Sequence, residues 1–350
     1  MKLQHKLIPY WFSITSLCVF LTSSLAQAND YAEQGFILTS VKPIQFIAAD
    51  ITQGVIESQY IVPAGASPHA YSLRPSEIKR INAAKSIYWV GPQLESFLRK
   101  PIAQHGDKSF ALFQAFENKA VVTEQTPPLP EHTVEQNTDS HAAHEHKHED
   151  EHSEQEADHQ DESHTNHQPQ FHIHEYRGKD PHIWLDPKLA LSIATLIKQQ
   201  TTILYPQHEA LLEQNYQRFA QQINAADVQI NAQLSNLRAL GFVVFHDAYG
   251  RFIEYYQLNQ VAALTINPAR RPGAKHLAAI RKLLDETKPV CIFSEPQFNK
   301  AAVTSVTRDF PISIGQLDPL AIDLNPNQDR YASFLKDFAS QFVNCLGSKL

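Results

Sequence analysis

The stretch HEALLEQNYQRFAQQINAADVQINAQLSNL, from His208 to Leu237, decides how the chain is built. Its apolar side chains recur every three or four residues, the spacing that places them on one face of an α-helix. At 1.5 Å per residue such a helix is about 45 Å long, more than one small lobe requires. We therefore predict a long helix that links two lobes. Its apolar positions are Leu212, Tyr216, Phe219, Ile223, Ala226, Ile230, Leu234 and Leu237.

Strand-like and helix-like runs alternate on both sides of this linking helix. Before it, PIQFIAADI (Pro43 to Ile51) and SIYWVG (Ser86 to Gly91) are short apolar runs typical of strands, and RPSEIKRINAAK between them has helical character. After it, the apolar runs GFVVFHDAYG, QVAALTINP, PVCIFSEPQF and PISIGQLDPL surround one helical stretch, GAKHLAAIRKLLDETK. Such alternation favours an α/β fold with parallel sheets, here in two similar lobes.

The predicted organisation follows from these patterns, from an apolar N-terminal leader and from an insert rich in histidine and acidic residues. The helix KLALSIATLIKQQTTILYP should begin at Pro187 with Asp186 as its N-cap. The predicted segments are a signal peptide at 1–28, an N-terminal lobe at 29–123 and 177–206, an insert at 124–176, the linking helix at 207–238 and a C-terminal lobe at 239–350.

The first residues of the 350-residue chain resemble a secretory leader. Lys2 and Lys6 precede a mostly apolar run from Leu7 to Leu25, and Ala26-Gln27-Ala28 fits a small-x-small cleavage site. A membrane anchor is the alternative, but no later stretch is long and apolar enough to span a bilayer. We predict an exported, periplasmic protein.

Removal of the leader leaves Cys291 and Cys345 as a pair. An oxidising compartment favours one disulfide between them, with two buried thiols as the alternative. The disulfide would tie a strand of the C-terminal lobe to the last helix.

The insert is dense in histidine and carboxylates and poor in aliphatic residues, so we predict that it is disordered. Glu131 to Glu175 contain thirteen acidic residues and one lysine, although the whole chain has a net charge of only −7. The acidity is therefore local, and composition gives no indication of nucleic-acid or membrane binding. The segment also holds eleven of the eighteen histidines.

A solvated acidic linker would not need imidazoles, and the H-x-H and H-x-x-H spacings in the insert are suitable for metal binding. Our hypothesis is an auxiliary zinc trap that raises the local zinc concentration at a tighter site. Its predicted ligands include His141, His144, His146, His148, His152, His172 and His174.

Three histidines outside the insert lie in unusual positions. His69 lies in the loop VPAGASPHAYSLRPS, His182 lies just before a helix in KDPHIWLDP, and His246 ends the run GFVVF. Asp318 follows another apolar run, in GQLDPL, and ligands of parallel sheets bind beyond the carboxyl ends of strands. Three imidazoles with one carboxylate would suit zinc. Spacing alone leaves open that each is an ordinary loop or core histidine.

Six motifs in order, SPHAYSLRPS, WVGPQLESFL, DPHIWLDP, VFHDAYGRFIEYY, IFSEPQF and GQLDPL, resemble those of the ZnuA proteins. These are the periplasmic zinc-binding components of high-affinity zinc ABC importers. The resemblance runs from about Phe36 to the C-terminus, interrupted by the insert. It implies that His69, His182 and His246 bind zinc in a cleft between two α/β lobes, and that Cys291 and Cys345 form a disulfide.

The implied function is zinc capture in the periplasm and delivery to an inner-membrane ABC permease by a monomeric protein that is not an enzyme. Some family members have a glutamate just before the first ligand, where this chain has Pro68. Asp318 or a water would then be the fourth ligand. The alternatives are a manganese or iron carrier of the same fold, a secreted zinc hydrolase, and an adhesin on the same scaffold.

Overall fold

The computed structural model describes residues 35–117, 180–265, 273–298, 300–326, 328 and 330–349. The predicted signal peptide at 1–28 and the histidine-rich insert at 124–176 lie outside these ranges. No helix within them combines the length and the apolar composition that a membrane span requires.

Two four-stranded parallel sheets form the framework of the described residues, and they share one topology. In each sheet the first strand along the chain lies between the second and the third, with the orders β2-β1-β3-β4 and β6-β5-β7-β8. This confirms the predicted α/β class. The first sheet consists of β1 (Phe36–Thr39), β2 (Glu57–Tyr60), β3 (Ser86–Trp89) and β4 (Ser109–Ala111), and the second of β5 (Gly241–His246), β6 (Asn259–Thr265), β7 (Cys291–Ser294) and β8 (Ser313–Gln316).

Helices connect the strands and cover the sheets, and we call each sheet with its helices a lobe. The helices of the first lobe are α1 (Lys42–Thr52), α2 (Pro75–Ala83), α3 (Arg99–Ala103), α4 (Leu112–Glu117) and α5 (Pro187–Leu204). The long helix α6 (Glu209–Leu234) follows, and the second lobe has α7 (Gly250–Tyr256), α8 (Ala274–Thr287), α9 (Ala301–Thr307) and α10 (Tyr331–Leu346).

The strand predicted for PIQFIAADI is wrong, because these residues form helix α1. Nearly every side chain of α1 is buried, so the segment has no polar face that would indicate a helical period. Pro43 occupies the first turn, where a missing N–H costs nothing. The strand at this point of the chain is β1, which ends before this run begins.

Helix α6 spans 26 residues, with a short 3-10 turn before and after it. It packs against α1 and α5 of the first lobe and against α10 of the second. Tyr216 of the predicted apolar face is only partly buried, and Asn215 beside it is buried instead. The Asn215 amide donates to the carbonyl oxygens of Ile51 and Gln53 and so caps the end of α1. The face is therefore mostly apolar with one polar contact to the first lobe.

The second lobe is fastened internally by the predicted disulfide, which the structure confirms between Cys291 of β7 and Cys345 of α10. Beside it, a Cβ atom built on Gly315 of β8 would lie 2.6 Å from the Phe293 ring and 3.0 Å from the Cys345 Cβ. Glycine is therefore required where α10 crosses the sheet.

Lys42, at the start of α1, connects the two lobes. Its ammonium donates to the carbonyl oxygens of Ala321 (2.7 Å), Ile322 (3.0 Å) and Leu324 (3.1 Å), and the residue is 4% exposed. These carbonyls belong to the loop after β8, where Ala321 has a φ of +54°. One cation thus stabilises a loop conformation that the chain alone would adopt only at a cost.

Replacing Lys42 with methionine should lower the free energy of unfolding by about 3 kcal/mol, because three carbonyl acceptors lose a charged donor. Denaturant unfolding of the metal-free protein would measure this. The matched control is Lys198→Met, which removes a surface ion pair with Glu213 and should cost less than about 1 kcal/mol. Equal unfolding midpoints for the two variants would contradict the role of Lys42.

Candidate metal centre

Three histidines from distant parts of the chain meet at one point between the lobes. His69 lies in the loop between β2 and α2, His182 lies just before the turn that leads into α5, and His246 is the last residue of β5. One ring nitrogen from each lies within 4.8 Å of the other two. The ring centroids are 5.4 Å apart for His69 and His182, 4.9 Å for His69 and His246, and 5.2 Å for His182 and His246.

The loop that carries His69 is held by its own hydrogen bonds. The His69 backbone N–H donates to the Ser67 hydroxyl at 3.3 Å, and the Ala70 N–H donates to the Ser67 carbonyl. Further along, Glu77 of α2 accepts from the Tyr71 hydroxyl at 2.6 Å and from the Arg74 backbone N–H at 2.7 Å. The loop is therefore held internally around Ser67 and is tied to the following helix at its C-terminal end.

Two of the imidazoles direct unpaired nitrogens into a small cavity. The Nε2 atoms of His69 and His246 are buried and have no hydrogen-bond partner among the described residues. Buried polar atoms in proteins are nearly always paired, so an unpaired ring nitrogen indicates a ligand position. The cavity is otherwise lined by Ser67, Pro68, Trp184, Glu295, Phe298 and Leu320, with Gln297 and Pro319 beside them.

Carboxylates contact the Nδ1 atoms of His182 and His246. Asp180 Oδ1 lies 2.6 Å from His182 Nδ1, and Glu295 Oε1 lies 3.1 Å from His246 Nδ1. All four residues are almost fully buried. A carboxylate at Nδ1 fixes the tautomer and leaves Nε2 free for a metal, the arrangement common around zinc-binding histidines.

Burial keeps the His69 imidazole neutral. Desolvation and the proximity of the His182 and His246 rings lower the pKa of His69 to about 2, although the Asp180 carboxylate opposes this. A metal ligand must be deprotonated, so His69 can accept a cation over the whole physiological pH range. The residues present therefore fit zinc: three imidazoles around one cavity, two of them with an unpaired buried nitrogen.

Asp318, predicted as a fourth ligand, is not part of this group. Its Oδ1 accepts the backbone N–H of Leu320 at 3.1 Å, and its Oδ2 accepts that of Ile322. Burial raises the pKa of Asp318 to about 6. This carboxylate shapes the loop after β8 and lies outside the group of three histidines.

The other histidines of the sequence lie away from this cavity or outside the described residues. The histidines of the auxiliary loop all lie outside the described residues. His105 and His276 bond to Asn82 and to the Leu264 carbonyl, respectively, away from the cavity. Sequence reasoning missed Asp180, although an acidic residue two positions before a candidate ligand was a usable signal.

The chain has two α/β lobes, each with a parallel sheet, and both lobes contribute histidines to one cavity. This arrangement defines the class: a two-lobe solute-binding protein with a candidate metal centre. A family model described as ZnuA, zinc-uptake complex component A periplasmic, matches residues 37–345. The chain belongs to this family.

Individual relatives agree with this assignment. The high-affinity zinc uptake system protein ZnuA of Yersinia pestis is 34% identical over 334 residues, covering 93% of this chain and 96% of its own. That of Haemophilus influenzae is 35% identical over 354 residues, covering 95% and 98%. A crystal structure of ZnuA, 19% identical, covers 89% of this chain and 99% of its own with a TM-score of 0.64, which shows a shared fold.

Proposed function

We propose that this protein binds zinc ions in the periplasm and delivers them to the permease of a zinc ABC importer. His69, His182 and His246 hold the ion, and a water completes the shell. The observation that carries the proposal is the convergence of three imidazoles, two of which have buried Nε2 atoms without a partner. The zinc-uptake relatives support the choice of ion.

The donor set favours zinc over manganese. Imidazole suits borderline metals, and manganese ranks low in affinity for nitrogen ligands. With Asp318 bonded to two backbone amides, the group of ligand atoms contains no carboxylate that would improve manganese binding. A manganese or iron carrier of the same fold is the alternative that this chemistry disfavours.

A hydrolase would need a general base beside the metal. Asp180 and Glu295 both bond to histidine rings, and Asp247, which directly follows His246 in sequence, accepts from the Gln260 amide at 2.8 Å. These carboxylates therefore orient side chains, which favours a carrier. In a carrier, both lobes contribute ligands, so separating the lobes breaks the coordination shell. Docking to a permease would separate the lobes and so release the ion.

The insert acts in this proposal as a trap of moderate affinity that feeds the cleft. Deleting Glu131 to Glu175 should leave one tight zinc site and remove the weaker ones, because the three cleft histidines stay in place. Titration against a chelator of nanomolar affinity tests the trap, and the same titration with excess manganese tests the preference of the tight site for zinc. Several remaining sites would contradict the trap, and manganese that displaces zinc from the tight site would contradict the proposed function.

A further inference from the structure

Asp180 contacts both the candidate metal centre and the second lobe. Toward the centre, its Oδ1 accepts from the His182 backbone N–H at 2.9 Å as well as lying 2.6 Å from His182 Nδ1. Toward the second lobe, its Oδ2 accepts the Arg251 backbone N–H at 3.3 Å, and its carbonyl oxygen accepts Arg251 Nε at 3.0 Å. Asp180 is 4% exposed, so these bonds are shielded from water.

Gly250 and Arg251 are the first two residues of α7. A Cβ atom built on Gly250 would lie 3.1 Å from Asp180 Oδ2, so a side chain at this position would displace the carboxylate by a few tenths of an ångström. Helix α7 is fixed in the second lobe, because Phe252 stacks on Phe342 and meets Phe338 edge to face. The position of Asp180 therefore depends on where the second lobe lies.

The chain also connects these contacts to the third histidine. His246 ends β5, and α7 begins at Gly250 after a short turn. One segment of the second lobe thus contributes His246 to the cavity. A few residues later, the same segment contacts Asp180, the carboxylate that orients His182. Asp180 therefore links the orientation of the His182 ring to the contact between the two lobes.

We propose that Arg251, together with the close approach at Gly250, is a positioning residue that couples lobe contact to the orientation of His182. The inference rests on the proposed function. With the lobes together, Asp180 holds the His182 ring with Nε2 toward the ion. When the lobes separate, Asp180 loses its contacts to α7, the ring is free to rotate, and the ion dissociates sooner.

Arg251→Ala in the full chain tests this. After loading with one equivalent of zinc, the slowest phase of zinc loss to excess chelator should be about 10 to 100 times faster, with the association rate unchanged. With Co²⁺ in place of zinc, the visible spectrum should shift, because the His182 ring is less fixed. Arg251→Lys, which retains the charge and a donor, should recover part of the slow dissociation.

Arg238→Ala is the matched control, because Arg238 Nε also donates to a backbone carbonyl, that of Tyr256 at 3.1 Å, but at the other end of α7. It should leave both measurements unchanged. Gly250→Ala should accelerate zinc loss without removing any polar group, whereas Gly106→Ala, where an added Cβ meets nothing within 4 Å, should not.

The inference is overturned if Arg251→Ala and Gly250→Ala retain the native dissociation rate and cobalt spectrum, or if Arg238→Ala changes them equally. Failure of the proposed function looks different. In that case the native chain itself would lack a slow phase, or the phase would persist after replacement of the cleft histidines.

Discussion

Replacing His246 with alanine should lower zinc affinity about a thousandfold. Structural zinc sites contribute about 10–16 kcal/mol in total, so one of three protein ligands accounts for about 4 kcal/mol. The Nε2 atom of His246 is buried and has no hydrogen-bond partner among the described residues, so it is available to bind the ion. His69→Ala and His182→Ala should have effects of the same order.

The measurement is competition with a chelator in the variant that lacks Glu131 to Glu175, which excludes any contribution from the proposed zinc trap. His105→Ala is the control: this histidine bonds to Asn82 at 2.9 Å on the surface, and its loss should not change affinity. The zinc-induced rise in the unfolding temperature should disappear with the same three variants. Nanomolar zinc retention by any of them would remove that histidine from the ligand set.

The predicted and the observed folds agree where the sequence has a clear period or clear boundaries. The runs that became β5 to β8 are bounded by turn residues, and the cap at Asp186 is formed as expected, since its side chain accepts the N–H groups of Lys188 and Leu189. Helix α1 was missed because burial on all sides removes the amphipathic pattern. Local sequence cannot separate a buried helix from a buried strand of similar length.

The candidate site was predictable in its histidines but not in what surrounds them. His246 ends one strand of the second sheet and Asp318 follows another, and these positions predict that both bind the metal. In the structure the backbone after β8 turns, and Asp318 accepts the N–H groups of Leu320 and Ile322. The contact between Asp180 and Arg251 joins residues 71 positions apart in the sequence. It also depends on Gly250, which lies close to the Asp180 carboxylate. Tertiary geometry of this kind has no local signature.

Removing the disulfide should cost the second lobe about 4 kcal/mol, the largest stability effect that we expect. Cys291 and Cys345 are 54 residues apart, and a cross-link that closes a loop of this length removes about that much conformational freedom from the unfolded chain. The double variant Cys291→Ala with Cys345→Ala should unfold at a clearly lower denaturant concentration than the oxidised native protein. The reduced native protein is the control that separates the cross-link from the loss of two buried side chains.

Zinc affinity of the folded double variant should nevertheless stay close to native. The disulfide acts mainly on the unfolded chain, whereas in the folded state β7 pairs with β5 and β8 and so keeps Glu295 against His246 without it. Affinity is measured by chelator competition well below the unfolding midpoint. Coincident unfolding curves for the double variant and the oxidised protein would refute the stability prediction. A large loss of zinc affinity with an intact fold would show instead that the disulfide positions the site.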